Sequence, residues 1–181
     1  MKTKFQIPAR DQVSLTHQSI YDTLEKAIGF VPNLYAEFAH SETALNTFLG
    51  AQNAKSSLTA KEKESISLVV SQVNECNYCL SSHSVAAHRN GLTDDHILEI
   101  RRGSASFNAK LNALVKLAKS ISETNGHADP EIVDDFIEAG YNKGNLIDVI
   151  MLVGIRSITN YVYAITKPEI DWPLASELEN A

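Results

Sequence analysis

Apolar positions recur along this chain three and four residues apart, the spacing of helical faces. After Ser14, residues Leu15, Ile20, Leu24, Ala27 and Ile28 trace one such face, which Gly29 and Pro32 punctuate. A short helix is expected over Asn33 to His40, and Ser41 as N-cap predicts another through ETALNTFLGAQNA. Thr59-Ala60-Lys61-Glu62 has the form of a capping box, in which the hydroxyl and the carboxylate each satisfy an orphan backbone N–H. The helix it opens runs to about Asn74, with Ile66, Val69, Val70 and Val73 as its buried stripe and Glu64 in its first turns.

The next helix is expected from near Cys76 to Asn90-Gly91, where glycine supplies the left-handed cap. Thr93 caps a short helix, DDHILEIRR, ended by Gly103; a longer one from about Ser106 to Glu123 gathers Leu111, Leu114, Val115, Ala118 and Ile121 on one side. Asp129-Pro130 places an N-cap and a first-turn proline before EIVDDFIEAG, which Gly140 ends. The last long helix spans about Gly144 to Ile165, and its run Val149 to Ile155 predicts burial on several sides.

No stretch alternates with hairpin turns, and the β-branched run SLVVSQV lies inside a well-capped helix. The expected fold is all-α, about eight helices with no sheet, as a single domain over residues 1–181. Residues 1–13 form an extended N-terminal arm, and residues 167–181 an irregular tail carrying Trp172.

The chain has 181 residues, enough to bury a sizeable core without disulfide staples. Sixteen Lys and Arg against twenty-two Asp and Glu give a net charge of −6, which leaves no electrostatic footprint for nucleic acid. The N-terminus lacks the apolar run of a secretory signal, and the longest apolar run is far shorter than a bilayer span. A cytoplasmic protein is expected, and there paired thiols are more often catalytic or metal-binding than structural.

Both cysteines, Cys76 and Cys79, fall in one Cys-x-x-Cys, with His83 four residues on. On a helix over 76–90, Cys76, Cys79 and His83 stand at i, i+3 and i+7, on one face. A free thiol with a pKa near ~8.5 is only about 3% thiolate at neutral pH, and a helix N-terminus or a neighbouring imidazole raises that share. Such a thiolate attacks the O–O bond of a hydroperoxide to give a sulfenic acid, and a second thiol nearby condenses with it. The expected cycle has Cys79 attacking and Cys76 resolving, with His83 and Glu64 managing protons.

The pattern Glu64, eleven residues, Cys76-Asn77-Tyr78-Cys79, three residues, His83 resembles the AhpD-like alkylhydroperoxidase branch of the carboxymuconolactone decarboxylase family. The surrounding sequence from about Val31 to Gly91 is similar too, and past Gly91 the likeness is looser. The resemblance implies that Cys79 is the peroxidatic cysteine, Cys76 the resolving one, and Glu64 and His83 a proton relay. It also implies an organic hydroperoxide substrate, a dithiol or lipoyl-type reductant, no cofactor beyond the Cys76–Cys79 disulfide, and homo-oligomers, commonly trimers or hexamers. Where the best-described members carry a second histidine, this chain has Tyr78, whose phenol can hydrogen-bond into the relay but is no base at neutral pH.

Other readings of the same residues remain open on the sequence alone. Cys76, Cys79, His83 and Glu64 number four potential zinc ligands, although structural zinc sites more often use two Cys/His pairs. The two cysteines alone make an ordinary pair of small core residues. Haem attachment needs a histidine where Leu80 stands, and a thioredoxin-like site needs a βαβ context. A non-redox lactone decarboxylase would not need the cysteine pair. His88 and His96 read as surface residues, His17, His40 and His127 show no partner pattern, Asn160 to Tyr163 read as core or subunit contact, and Glu138 and Asp148 as solvated.

Overall fold

In a computed structural model describing residues 5–178, the chain is all-α, with no strand among those residues. Residues 1–4 of the expected arm and 179–181 of the expected tail lie outside this range. The described part of the arm contains a single 3-10 turn, Arg10–Gln12. Nine helices follow among the described residues: α1 Leu15–Ile28, α2 Asn33–Phe38, α3 Ala44–Gln52, α4 Ala60–Val73, α5 Asn77–Arg89, α6 Asp94–Arg102, α7 Ala109–Glu123, α8 Pro130–Glu138 and α9 Lys143–Thr166.

Local capping chemistry sets most of these starts. Ser14, Thr59, Thr93 and Asp129 each accept a backbone N–H with their side chains. At Thr59 the box is reciprocal, with Glu62 Oε2 accepting from the Thr59 N–H at 2.7 Å. Two starts differ from the sequence expectation. α3 begins at Ala44, after Ser41, because residues 41–43 form a turn in which the Ser41 hydroxyl accepts from Ala44 N. α7 begins at Ala109, not near Ser106: Asn108 Oδ1 caps Leu111 N at 2.9 Å, while Ser106 N donates to Glu99.

The helices fall into two compact units. One comprises α1, α2, α3, the end of α9 from Tyr161, and the segment to Asp171. Its interior holds Tyr21, Leu24, Leu34 and Leu45, with Phe38 and Phe48 stacked 4.7 Å apart. Pro32 has no side-chain oxygen with which to cap α2; Asp171 does so from far along the chain, accepting from Asn33 N at 2.6 Å.

The other unit comprises α4 to α8 and α9 up to Asn160, with Lys55 to Thr59 before them and the segment from Trp172. Here α4 is central and packs against α5, α6 and α7. Ile66, Leu68, Val69 and Val70 are all sealed from solvent, so burial extends to Leu68 beyond the expected stripe, while Val73, expected within it, is only partly buried. A helix covered on most sides is a rigid platform for whatever its remaining polar residues do.

α9 corrects another expectation. Its inward face is Val149, Leu152, Val153, Arg156 and Asn160, but Ile147, Ile150, Met151 and Ile158 are exposed. The run Val149 to Ile155 is therefore buried along one face only. By length and composition alone this one helix, among the described residues, is apolar enough to cross a membrane. Asp148, expected to be solvated without a partner, accepts from both the amide and the hydroxyl of Ser57, at 2.7 and 2.6 Å. Those bonds hold its carboxyl below the usual range.

Candidate functional site

A tight connection between α4 and α5 positions the cysteines. Asn74 caps α4, Glu75 adopts the left-handed conformation with φ 54°, and Cys76 N returns a hydrogen bond to Ser71 O at 2.9 Å. Glutamate is an uncommon residue in that conformation, which glycine adopts without steric cost. Cys76 consequently lies outside the helix as the N-cap of α5, and only Cys79 and His83 share its helical face at i and i+4.

Cys76 and Cys79 are joined as a disulfide, with Cα atoms 5.3 Å apart. Both are sealed, at 1% and 2% exposure. The backbone N–H of Cys79 points at Cys76 Sγ, 3.3 Å away, as an N-cap oxygen would receive it. Negative charge on the Cys76 sulfur is thereby favoured by an N–H donor and by the positive end of the helix dipole.

Glu64, on α4, meets His83, on α5, through Oε2 and Nδ1 at 2.8 Å, each side chain 16% exposed. Burial works to raise the Glu64 pKa, but the neighbouring His83, its hydrogen bond and the Arg156 charge outweigh it and hold the carboxyl below its ordinary range. For His83, burial is the largest influence and lowers the pKa; Glu64 opposes this and Arg156 reinforces it. At neutral pH the pair is thus a carboxylate facing a neutral imidazole. With Nδ1–H donating to Glu64, the Nε2 lone pair is left as the proton acceptor.

The four residues singled out in the sequence therefore occupy one neighbourhood, the α4–α5 pair. Tyr78 is buried beside them, at 2% exposure. Arg156 was not anticipated. Its Nε donates to Ser67 Oγ at 2.8 Å, and Ser67 stands one turn beyond Glu64 on α4. Farther along the same helices, Asn74 Nδ2 donates to Asn160 Oδ1 at 2.9 Å, so α4 and α9 meet through polar groups. The available signal was periodicity: Ser67, Ser71 and Asn74 repeat at i, i+4 and i+7 in an otherwise apolar helix, and Arg156 and Asn160 at i and i+4 in another. Among the described residues, no group of three or more His, Cys, Asp or Glu side chains is arranged to hold a metal ion.

Residues 39–120 match the carboxymuconolactone decarboxylase family, a span that covers α4 and α5 and, beyond the Gly91 limit read from the sequence, α6 and most of α7. Nothing among the curated proteins matches the chain. Among solved structures, a peroxidase-related protein from Silicibacter sp. TM1040 is similar at 23% identity, covering 92% of this chain and 94% of its own, with a TM-score of 0.79. The AhpD core of a peroxidase-related protein from Ralstonia eutropha JMP134 is 16% identical, with 89% and 88% covered and a TM-score of 0.80. The debrominase Bmp8, as a cysteine-to-alanine variant in complex with 2,3,4-tribromopyrrole, is 19% identical, with 94% and 93% covered and a TM-score of 0.77. The fold is thus shared by a debrominase and by peroxidase-related proteins that are themselves uncharacterized, so the fold alone does not name a chemistry. In fold this chain is AhpD-like, and through residues 39–120 it carries the likeness to the carboxymuconolactone decarboxylase family that its Glu64-to-His83 spacing suggested.

Proposed function

We propose that this protein is a thiol-dependent oxidoreductase that reduces organic hydroperoxides through a Cys76–Cys79 dithiol/disulfide cycle. The observation that carries the reading is the joined cysteine pair at the start of the helix that presents His83 to Glu64. In the reduced protein, His83 Nε2 takes the proton of the Cys79 thiol. The thiolate attacks the O–O bond of the hydroperoxide; the bond breaks, Cys79 becomes a sulfenic acid, and the leaving alkoxide takes the proton from His83 to depart as the alcohol. The Cys76 thiol then displaces water from the sulfenic acid and the disulfide forms.

The return half-reaction needs an external dithiol, of lipoyl type by the family resemblance. Its thiolate attacks Cys79, and Cys76 leaves as the thiolate, which the Cys79 N–H and the α5 N-terminus favour. The second thiol of the donor then releases Cys79, so two electrons and two protons enter per turnover. Such a donor is supplied in a reducing compartment such as the cytoplasm. A homo-oligomer is part of the proposal, supported by the exposed apolar side chains of α9, since monomers rarely expose large contiguous apolar patches.

The test is the intact mass of fully reduced protein before and after one equivalent of cumene hydroperoxide, followed by peptide mapping. The expected product is lighter by two hydrogens, with Cys76 linked to Cys79. An unchanged mass at neutral pH overturns the proposal.

A further inference from the structure

Arg156 occupies a position that local sequence gives no reason to charge. It stands in mid-helix on the inward face of α9, among Val149, Leu152 and Val153, and is 6% exposed. Burying a guanidinium is costly unless it is hydrogen-bonded and balanced by negative charge. Its Nε donates to Ser67 Oγ at 2.8 Å, and that hydroxyl in turn donates to Lys63 O at 2.7 Å. The guanidinium therefore lies against the turn of α4, residues 63–67, that carries Glu64.

Charge balance then adds to burial in setting the protonation of the neighbouring pair. Glu64 and His83 alone would form a neutral set as carboxylate and imidazolium. With a buried positive charge added, the neutral set is guanidinium, carboxylate and uncharged imidazole, and protonating the ring leaves a net positive charge in a poorly solvated place. We propose that Arg156 is a positioning residue: its guanidinium completes a three-group set with Glu64 and His83 in which the resting imidazole is neutral and ready to accept a proton. This deepens the function proposed above and rests on it only for the use to which the base is put. The directions found for the two groups agree, with Arg156 acting to lower both Glu64 and His83. Lys63 is the other cation acting on Glu64, from α4 itself; α5 adds the buried phenol of Tyr78, and Cys79 joins the titratable groups only once its disulfide with Cys76 is reduced.

The experiment is NMR titration of the His83 ring, with labelled histidine, in the native sequence and in three variants. R156M removes the charge with similar bulk; R156Q removes it while keeping a donor for Ser67; R156K retains it. The midpoint of His83 is expected to rise in R156M and R156Q and to stay near the native value in R156K. The acid limb of thiol alkylation should move upward with it. Should R156M fail to fold, R156Q is read in the same way. An unchanged His83 midpoint in either folded uncharged variant overturns the assignment. Because the ring is read directly, that failure is distinct from failure of the hydroperoxide reaction.

Discussion

His83 Nδ1 and Glu64 Oε2 lie 2.8 Å apart across the α4–α5 contact, and both groups have pKa values below their ordinary ones. An isolated ion pair would raise the histidine and lower the glutamate. Here burial and the Arg156 charge overcome Glu64's pull on the ring, so the contact is a hydrogen bond between a carboxylate and a neutral imidazole. That state orients the ring and leaves Nε2 free for the proton of a thiol one helical turn away.

Stability should fall as the medium is acidified, in two stages. A histidine held below its unfolded value of 6.5 binds fewer protons folded than unfolded, so its contribution is lost as pH falls below that value. Glu64, held below 4.5, contributes fully above that value and loses its contribution as pH falls further through the folded pKa. Thermal melting followed between pH 7.5 and 4 should therefore show Tm falling already below about pH 6.5. In H83Q the first of the two stages should disappear; a Tm that is flat to pH 5 in the native sequence would contradict the neutral-imidazole state.

The two cysteines should fail differently when replaced. Cys79→Ser removes the sulfur that the His83 base serves, so hydroperoxide should be neither consumed nor leave an oxidised sulfur on the chain. Cys76→Ser should still react once and stop at the Cys79 sulfenic acid, because no thiol is left to displace water from it. Turnover in both variants should be lower than native by at least about 100-fold, in keeping with the loss of a group essential to a covalent step. Mass spectrometry after treatment with a sulfenic-acid trap reads the difference, and an adduct on Cys76 in the Cys79→Ser protein would reverse the assigned roles.

Reduction should leave the protein folded. The disulfide closes a loop of only four residues, counting both cysteines. By the chain-entropy relation such a loop is worth no more than about 2 kcal/mol, against ~3 kcal/mol for a 15-residue loop. The core around α4 does not depend on it, as Ile66, Leu68, Val69 and Val70 are buried by α5, α6 and α7. Urea unfolding with and without excess dithiothreitol should give curves displaced by that amount or less, both cooperative. Loss of the cooperative transition on reduction would mark the bond as a structural staple and the cycle as unworkable.

What the sequence disclosed, and what it hid, divides by the range of the interactions. Thr59, Thr93 and Asp129 announced helix starts because a cap is made within three residues. Cys79 and His83 could be placed together because four residues on a helix is one turn. Glu64 required the family spacing, since its meeting with α5 depends on the turn through Glu75, where no glycine signals the left-handed conformation. Arg156 and Ser67 are 89 residues apart, and Asp148 and Ser57 are 91 apart. Contacts of that range are set by how helices pack, which periodicity indicates by face but not by partner. The exposed half of α9 is not legible in the sequence for a related reason, as an apolar run does not say how many of its sides the fold will cover.

That exposed half should mediate self-association. Ile147, Ile150, Met151 and Ile158 are each 45–58% exposed, and Ile147, Met151, Gly154 and Ile158 follow one another at spacings of four, three and four. This is the a/d spacing with which helices pair, and Gly154 leaves room for a close approach. A second copy of the chain offers a matching surface by symmetry, since a two-fold interface uses the same patch on both partners. Light scattering should give a mass that is a multiple of 19.9 kDa. Met151→Glu or Ile158→Glu, each placing a charge in the middle of the stripe, should lower it towards the single-chain value. The side chains replaced do not enter the interior, so helicity should be unchanged. A native protein of 19.9 kDa in solution, or variants that retain the native mass, would remove α9 as the contact.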